Sequence, residues 1–322
     1  MKKLCALLFS ALIFSACNTE DDDQNFKQDM REFVIGISQY SKGIRPGFVI
    51  IPQNGIEIVT ESGDDADVLA TAYLNAIDGH GQEDLFYGYN DDDVATPTAD
   101  SDYLQLFLDR SNAEGNRILV IDYCSTPSKM DNSYSVNETA GYISFAADHR
   151  ELDNIPTHPS PIFNENNSAV TTLAEAQNFL YLINPDNFTT KADFISAVTA
   201  TNYDLLVMDL FFHDGSEFTA SEVAQLRQKA NGGSRLVICY MSIGEAEDYR
   251  YYWQNAWNSN EPSWLREENP DWEGNYKVAY WDESWQQIIY GNNSSYLKKI
   301  LDADFDGVYL DIIDAYEYFE EQ

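Results

Sequence analysis

Carboxylates recur at the points where short apolar segments of this sequence end. The apolar run Leu236–Met241 is followed closely by Glu245, and Asp209 and Asp311 stand at the ends of two other apolar runs. Several carboxylates at one edge of a sheet would suit glycoside hydrolysis, which needs one acid and one base or nucleophile. They would also suit a Mg²⁺ or Ca²⁺ site. Glu245 could instead serve only to stabilise a following helix, because its charge would lie near the helix N-terminus.

Other polar and aromatic residues also stand at the ends of apolar runs and extend the set of candidates. They are Asn54, Glu83, Asp122, Tyr123, Tyr280, Trp281 and Asp314. All six tryptophans lie within Trp253–Trp285, and amphipathic rings beside carboxylates are typical of sugar-binding clefts. We favour Tyr280 and Trp281 for such a cleft because they end a predicted strand. The alternative is that a long excursion packs these rings into a small core of its own.

Several kinds of site have no counterpart in the sequence. It contains no nucleophile elbow, phosphate-binding loop or dinucleotide fingerprint, so we expect no cofactor. Its 4 His and 4 Cys lack zinc-type spacing, which argues against a His/Cys metal site. The net charge of −35 would repel nucleic acid and attract a cationic ligand, although acidity can also serve solubility alone.

Apolar segments with strand character alternate with segments of helical period along most of the chain. Nine strands are predicted, at Phe48–Ile51, Leu85–Tyr87, Arg117–Cys124, Gly141–Ala147, Asn178–Ile183, Asp204–Leu210, Leu236–Met241, Tyr276–Trp281 and Gly307–Asp311. This alternation predicts a single-domain α/β fold over residues 30–322, a (β/α)8 TIM-type barrel whose strand ends carry the chemistry. Because nine strands are one too many, we expect Gly141–Ala147 to be peripheral.

Helices are predicted between many of these strands. Their ranges are Met30–Ser41, Asp65–Asn75, Ser101–Arg110, Lys191–Ala200 and Thr219–Ala230. The last of them begins with Thr219, and Glu222 follows three residues later. That spacing is typical of a capping box, in which the two side chains bond reciprocally to the backbone N–H groups of the first turn.

The N-terminal residues 1–16 have the composition of a secretory signal peptide, with two lysines before an apolar run that ends in Ser15-Ala16. Because Cys17 follows, the segment resembles a bacterial lipobox, and we expect Cys17 to be lipidated. An ordinary signal cleaved nearby is the alternative. Residues 17–29 are acidic and predict a solvated tether. The acidic run resembles a signal for export to the outer face of the outer membrane, which the protein would then contact through its lipid alone.

Longer stretches of the sequence resemble one known family. They are IIPQNG at Ile50–Gly55, IDGHGQEDLFYGYN at Ile77–Asn90, SIGEAEDYRYYW at Ser242–Trp253, PSWL at Pro262–Leu265, ENPDWEGNYKVAYWDESWQQIIYG at Glu268–Gly291 and FDGVYLDIIDAYEYF at Phe305–Phe319. These motifs resemble glycoside hydrolase family 114, which contains endo-α-1,4-polygalactosaminidases and related barrel proteins. The resemblance covers nearly all of the chain after the tether.

The resemblance implies carboxylate-based hydrolysis of α-1,4 linkages in a galactosamine-rich polysaccharide. It makes Glu245 the candidate general acid and Asp311 the candidate nucleophile or base, with Asp209 the next candidate. Substrate-binding roles then fall to Asp314, Glu83, Asn54, Tyr123, Tyr280, Trp281 and Asp122. A de-N-acetylated amino sugar is cationic near neutral pH, which agrees with the acidic composition. Asp314 could instead cap the helical turn that follows it.

The order of the motifs differs from that of the family. The motifs within residues 50–124 follow the strand of Gly307–Asp311 in the family but precede it here, which resembles a circular permutation. Two other functions are consistent with the same residues. One is a non-catalytic glycan-binding surface lipoprotein on the same barrel, because a fold does not dictate catalysis. The other is a metal-assisted hydrolase that uses the same acids.

Overall fold

The computed structural model describes residues 24–322. The predicted signal peptide and Cys17 therefore lie outside the described residues. The strands of the described part are β1 (Val49–Pro52), β2 (Gly79–Glu83), β3 (Arg117–Tyr123), β4 (Ile143–Ala147), β5 (Leu180–Tyr181), β6 (Leu205–Met208), β7 (Leu236–Ser242), β8 (Glu245–Glu247), β9 (Leu265–Glu268), β10 (Asn275–Val278) and β11 (Gly307–Asp311).

Helices separate most of these strands. They are α1 (Phe26–Ile44), α2 (Thr71–Leu74), α3 (Thr98–Ala113), α4 (Pro127–Ala140), α5 (Lys191–Thr199), α6 (Ala220–Leu226), α7 (Glu283–Ile289), α8 (Tyr296–Asp302) and α9 (Ala315–Glu320). Within residues 24–322, no helix combines the length and the apolar composition that a membrane crossing requires.

The strands form two parallel sheets and one small antiparallel sheet. The larger parallel sheet has the order β1-β11-β7-β6-β5, and the other has the order β2-β3-β4. A parallel bridge between Gln53 and Gly81 joins the end of β1 to β2. The antiparallel sheet, β8-β10-β9, belongs to the excursion after β7. The prediction of an α/β fold with parallel sheets is thus confirmed.

Strand register brings the polar strand ends to one edge of the sheets. Asp311 pairs with Ser242 where β11 and β7 end, and Tyr123 ends β3 beside β4. Side chains alternate between the two faces of a strand, so Tyr309 and Asp311 share one face of β11. The carboxyl ends of β1, β2, β3, β7 and β11 therefore present their last side chains toward a common region.

One predicted strand is displaced along the chain. Leu85–Tyr87 lies outside the sheets, and Gly79–Glu83 forms β2 in its place. Strands rarely contain glycine, and β2 contains two, so its composition does not predict a strand. Gly81 is required because a Cβ there would lie 1.9 Å from the Tyr309 hydroxyl, so no side chain fits. The prediction failed because a contact between distant strands outweighs local propensity.

The expectation that Gly141–Ala147 is peripheral is wrong. Its residues form β4, which pairs with β3 in parallel from Ile143 to Ala147. The segment that leaves the parallel sheets is Tyr276–Trp281, because Asn275–Val278 forms β10 and pairs antiparallel with β8 and β9. Alternation of apolar residues does not reveal which sheet a strand joins, since only pairing partners decide that.

Local capping signals explain where several helices begin. Helix α1 starts at Phe26, inside the range predicted for the tether, because the Asn25 side chain accepts a hydrogen bond from the Gln28 N–H. The capping box of Thr219 and Glu222 is present at the start of α6, as predicted. The predicted helix Asp65–Asn75 is wrong except for α2. The Asp64 side chain instead accepts a hydrogen bond from the Ala66 N–H in a turn.

A fully buried ion pair lies near the amino-terminal end of β6 in the larger parallel sheet. The Lys229 Nζ lies 2.7 Å from the Asp204 Oδ1, and both side chains are fully buried. The other oxygen of Asp204 accepts hydrogen bonds from Asn166 and from the Gln177 N–H. Asp204, just before β6, thereby ties the long connection between β4 and β5 to the sheet.

Candidate active site

A cavity of about 710 Å³ lies at the carboxyl ends of the parallel strands. Seven of the residues predicted from the sequence line it: Asn54, Glu83, Tyr123, Asp209, Glu245, Asp311 and Asp314. They come from loops and strand ends spread over most of the chain. The structure thus brings together the three predicted catalytic residues and four of the predicted substrate-binding residues.

The side-chain amide of Gln53 joins two carboxylates of this cavity. Its Nε2 donates to the Glu83 Oε2 at 2.6 Å and to the Asp311 Oδ1 at 3.0 Å. The Tyr181 hydroxyl donates to the Gln53 Oε1 at 3.0 Å, which holds the amide in this orientation. Glu83 ends β2, Asp311 ends β11 and Gln53 directly follows β1, yet one amide group links both carboxylates.

Each of the two carboxylates has further donors. Asp311 accepts from the Tyr240 hydroxyl at 2.6 Å and from the Ile312 N–H at 2.9 Å. Glu83 accepts from the Asn54 Nδ2 at 3.0 Å and from the Tyr123 hydroxyl. These contacts fix the positions of both carboxyl groups, as catalysis by oriented groups requires.

Burial changes the acidity of these groups. It raises the pKa of Asp311 to about 6, against the lowering effect of the Tyr240 hydrogen bond. Burial, together with the nearby negative charge of Asp311, raises the pKa of Glu83. Because Asp311 acts on Glu83 as a like charge, the pair favours an ionised Asp311 beside a protonated Glu83.

Asp314 lies near this pair and carries a third shifted carboxyl group. Burial raises its pKa to about 8, and the charge of Asp311 adds to the shift. The side chain of Asp314 makes no capping hydrogen bond at the start of α9, so the capping interpretation is wrong. Asp314 lines the cavity instead.

Glu245 lies at the side of the cavity and shares no hydrogen-bond donor with Asp311. Its Oε1 accepts from the Asn269 Nδ2 at 2.7 Å, and burial raises its pKa. It pairs across the small antiparallel sheet with Lys277. Its negative charge adds to the raised pKa of Asp311, so the two carboxylates interact, but no shared donor links them as Gln53 links Glu83 and Asp311.

Asp209 is held in a buried ion pair that sequence reasoning missed. Arg250 lies 2.7 Å from Asp209 and 2.7 Å from Glu247, with only 7% of its side chain exposed. A carboxylate neutralised in this way is poorly suited to attack or to donate a proton. The signal in the sequence was Arg250 three residues after Glu247, a spacing typical of an ion pair.

Three residues predicted for the site lie outside the cavity. Asp122 points away from it and accepts from Ser133 at 2.6 Å and Asn137 at 3.1 Å on α4. Tyr280 is buried and donates to the Phe26 carbonyl at 2.8 Å. Trp281 packs against the Phe26 ring, with centroids 5.1 Å apart. We therefore remove Asp122, Tyr280 and Trp281 from the candidate site.

The tryptophans divide between a local core and the cavity. Four of them pack within the excursion after β7, which is the alternative that the sequence left open: Trp253, Trp257, Trp264 and Trp285. Trp272 is 58% exposed and lines the cavity together with the exposed Tyr249. The sequence does not show which tryptophans are buried and which line the cavity, because that depends on how the segment after β7 folds.

Acidic side chains dominate the cavity. Its acidic lining residues are Glu83, Glu151, Asp186, Asp209, Glu245, Glu247, Asp311 and Asp314. Its two arginines are both paired with acids, since Arg250 binds Asp209 and Arg150 lies 2.8 Å from Asp84. Within residues 24–322, the carboxylates, histidines and cysteines form no cluster of three or more that could hold a metal ion. The remaining negative charge favours a cationic ligand.

The chain is similar to proteins of one family. The model of glycoside-hydrolase family GH114 matches residues 161–322, which is half of the chain. An uncharacterized protein of Methanocaldococcus jannaschii is 44% identical over 130 residues, 39% of this chain and 35% of that protein. An uncharacterized protein of Deinococcus radiodurans is 45% identical over 123 residues, 38% of this chain and 37% of that protein.

A third relative has a similar extent. An uncharacterized protein of Thermotoga maritima is 38% identical over 125 residues, 39% of this chain and 37% of that protein. The chain thus spans little more than a third of the length of the relatives that it matches.

Proposed function

The chain belongs to glycoside-hydrolase family GH114, and on that premise we propose that it cleaves α-1,4 linkages in a galactosamine-rich polysaccharide with Glu83 and Asp311 as its catalytic pair. One observation carries this proposal. The Gln53 amide donates to both carboxylates inside the acidic cavity. Glycoside hydrolysis needs two such groups on either side of the cleaved bond.

In the proposed reaction Glu83 is the general acid and Asp311 the nucleophile. Asp311 accepts a hydrogen bond from the backbone N–H of Ile312. A backbone N–H can only donate, so this bond stabilises the ionised carboxylate of Asp311. The Tyr123 hydroxyl beside Glu83 can both donate and accept, which leaves room for a proton on Glu83. This assignment replaces the expectation that Glu245 is the acid, and Glu245 becomes a ligand for substrate.

The spacing of the pair favours retention of configuration at the anomeric carbon. Since Gln53 Nε2 bonds both groups, the two accepting oxygens lie within about 5.6 Å of each other, the sum of the two bond lengths. Retaining enzymes place the two carboxyl groups about 5–5.5 Å apart, and inverting enzymes about 6.5–9.5 Å apart. Asp311 would then bond to the anomeric carbon as the glycosidic bond breaks, and Glu83 would protonate the departing oxygen. Water, deprotonated by the Glu83 carboxylate, would then displace Asp311 and release the sugar.

The lining of the cavity supports an amino sugar as the substrate unit. A protonated amine would be attracted by the acidic lining, which includes Glu245 and Asp186. The exposed ring of Trp272 offers a flat face against which a pyranose could stack. Aromatic stacking fixes the plane of the sugar, while the carboxylates bind its hydroxyl and ammonium groups.

We further infer that the eight parallel strands close into a (β/α)8 barrel with a circularly permuted order. The bridge between Gln53 and Gly81 joins the two parallel sheets at one side, and β4 and β5 contact each other at the other. Strand β1 pairs with β11, so the first and the last parallel strands lie side by side. A permutation requires this contact, because the segment of β1 follows that of β11 in the family order. The family's own two ends would then be joined in the connection between β4 and β5, which contact each other here.

We propose that the protein is anchored to the outer membrane and exposed at the cell surface. The support is the sequence alone, with Cys17 after small residues and an acidic run after Cys17. Replacing Cys17 with alanine should abolish incorporation of labelled fatty acid and release the protein from membranes. Incorporation that persists in Cys17→Ala would contradict the anchor.

The activity is tested with purified protein on partly deacetylated α-1,4-galactosamine polymers. Glu83→Gln and Asp311→Asn should each lower the release of reducing ends by at least about a hundredfold. The matched control is Asp102→Asn, an exposed change on α3, which should retain full activity. If both pair variants cleave at the rate of the unchanged protein, Glu83 and Asp311 are not the catalytic pair. Polymer that binds without cleavage would instead indicate a glycan-binding protein.

A further inference from the structure

A second cavity of about 410 Å³ adjoins the main one. Three residues line both cavities, namely Glu245, Ile312 and Asp314. The smaller cavity extends from this shared wall to the α9 residues Glu317 and Tyr318. A carboxylate that lines both cavities can contact a ligand in the first or in the second.

Two segments of the chain are in close contact at the shared wall. Ile312 has φ of 60°, a left-handed conformation that is rare for a branched side chain. A Cβ on Gly244 would lie 2.2 Å from the Ile312 carbonyl oxygen, so the two segments are in direct contact. The turn at Ile312 thus lies at the boundary of the two cavities, where Asp311 lines the first and Asp314 lines both.

The smaller cavity has the side chains that bind a sugar. Asn269 and Lys277 provide polar groups beside Glu245, and Lys277 Nζ lies 4.7 Å from the centre of the Tyr318 ring. Tyr318 and Phe319 add aromatic faces next to each other. Carboxylates outnumber the single lysine here as they outnumber the arginines in the main cavity. The two cavities therefore suit the same kind of ligand, a neutral or cationic carbohydrate.

We propose that the smaller cavity binds further sugar units of the polysaccharide that occupies the main cavity. This inference rests on the proposed function, and it specifies how that site selects long chains. The polymer passes Glu245 and Asp314 at the shared wall, and its next units lie against Lys277 and Tyr318. Oligosaccharides too long for the main cavity alone should then bind more tightly than shorter ones.

The test measures binding to protein inactivated by Asp311→Asn, by calorimetry with α-1,4-linked galactosamine disaccharide, tetrasaccharide and hexasaccharide. In this background Glu317→Trp fills the smaller cavity from its exposed edge. We expect the hexasaccharide to bind at least about tenfold more weakly than without the tryptophan. Tyr318→Ala is a second variant, and it should weaken hexasaccharide binding by removing an aromatic face of the smaller cavity without adding bulk.

The matched control is Asp102→Trp, which places the same ring at an exposed position on α3 outside both cavities. It should leave hexasaccharide affinity unchanged. If Glu317→Trp and Tyr318→Ala bind the hexasaccharide as tightly as the control, the second cavity does not bind sugar. If the Asp311→Asn protein binds none of the three oligosaccharides, the proposed substrate itself is wrong, and this inference falls with it.

Discussion

Gly81 and Tyr309 face each other between the two parallel sheets, and the tyrosine ring occupies the space that a side chain at position 81 would need. An added Cβ would lie 1.9 Å from the hydroxyl oxygen and 2.4 Å from the ring carbon that bears it. Both residues are buried directly beneath Glu83 and Asp311, which follow them by two positions on β2 and β11. The packing of this pair therefore supports the floor of the candidate site.

Gly81→Ala should destabilise the protein by about 1–3 kcal/mol, because the interior cannot accept the extra carbon without moving the Tyr309 ring. Urea denaturation would measure this loss. Gly43→Ala is the matched control, since it lies in α1 with no atom within 4 Å of the added carbon. That change should be neutral or stabilising by up to about 1 kcal/mol. Equal stability of both variants would mean that the ring moves freely.

Asp314→Asn should stabilise the protein at alkaline pH. The folded state raises the pKa of Asp314 to about 8 from an ordinary 3.8, so folding favours the protonated form. Its contribution to stability is therefore complete below about pH 4 and is lost as the pH rises toward about 8. The variant should gain about 1–3 kcal/mol at pH 8 and show a flatter dependence of unfolding free energy on pH.

The comparison for Asp314→Asn is Asp102→Asn, which removes an exposed carboxylate from α3. Unfolding in urea at several pH values between about 4 and 8 measures both slopes. A loss of stability in Asp314→Asn at every pH would show that the side chain caps α9 after all.

Lys229→Met should destabilise the protein by about 3–5 kcal/mol, because it leaves the Asp204 carboxylate buried without its partner. Lys298→Met removes one member of an exposed ion pair with Asp302 on α8 and should cost less than about 0.5 kcal/mol. Thermal denaturation distinguishes the two. Similar melting temperatures for both variants would mean that Asp204 takes up a proton or reaches water in place of the lysine.

Trp272→Ala should raise the KM for galactosamine polymer by roughly tenfold and leave kcat within about twofold of its original value. The reason is that its ring lines the cavity and is exposed, whereas the paired carboxylates are held by other residues of the lining, Gln53, Asn54, Tyr123 and Tyr240. Tyr89→Ala, which removes an exposed ring that does not line the cavity, is the control. A large fall in kcat with an unchanged KM would assign Trp272 to the chemical step instead.

The positions of several strands and helices along the chain could be predicted from the sequence alone. The apolar run that ends in Asp311 predicts β11 with its observed bounds, and the Thr219 and Glu222 spacing predicts the start of α6. These features depend on residues within a few positions of one another, where backbone preference and capping act. The presence of carboxylates at strand ends follows from the same local patterns.

Only the tertiary structure decided which of those carboxylates meet. Glu83 and Asp311 are distant in the chain, and their common donor Gln53 follows a third strand, β1. Asp122 and Tyr123 are adjacent at the end of β3, yet the pleat sends Asp122 toward α4 and Tyr123 toward Glu83. Strand register and the packing of distant segments determine such choices, because a shift by one residue exchanges the two faces of a strand.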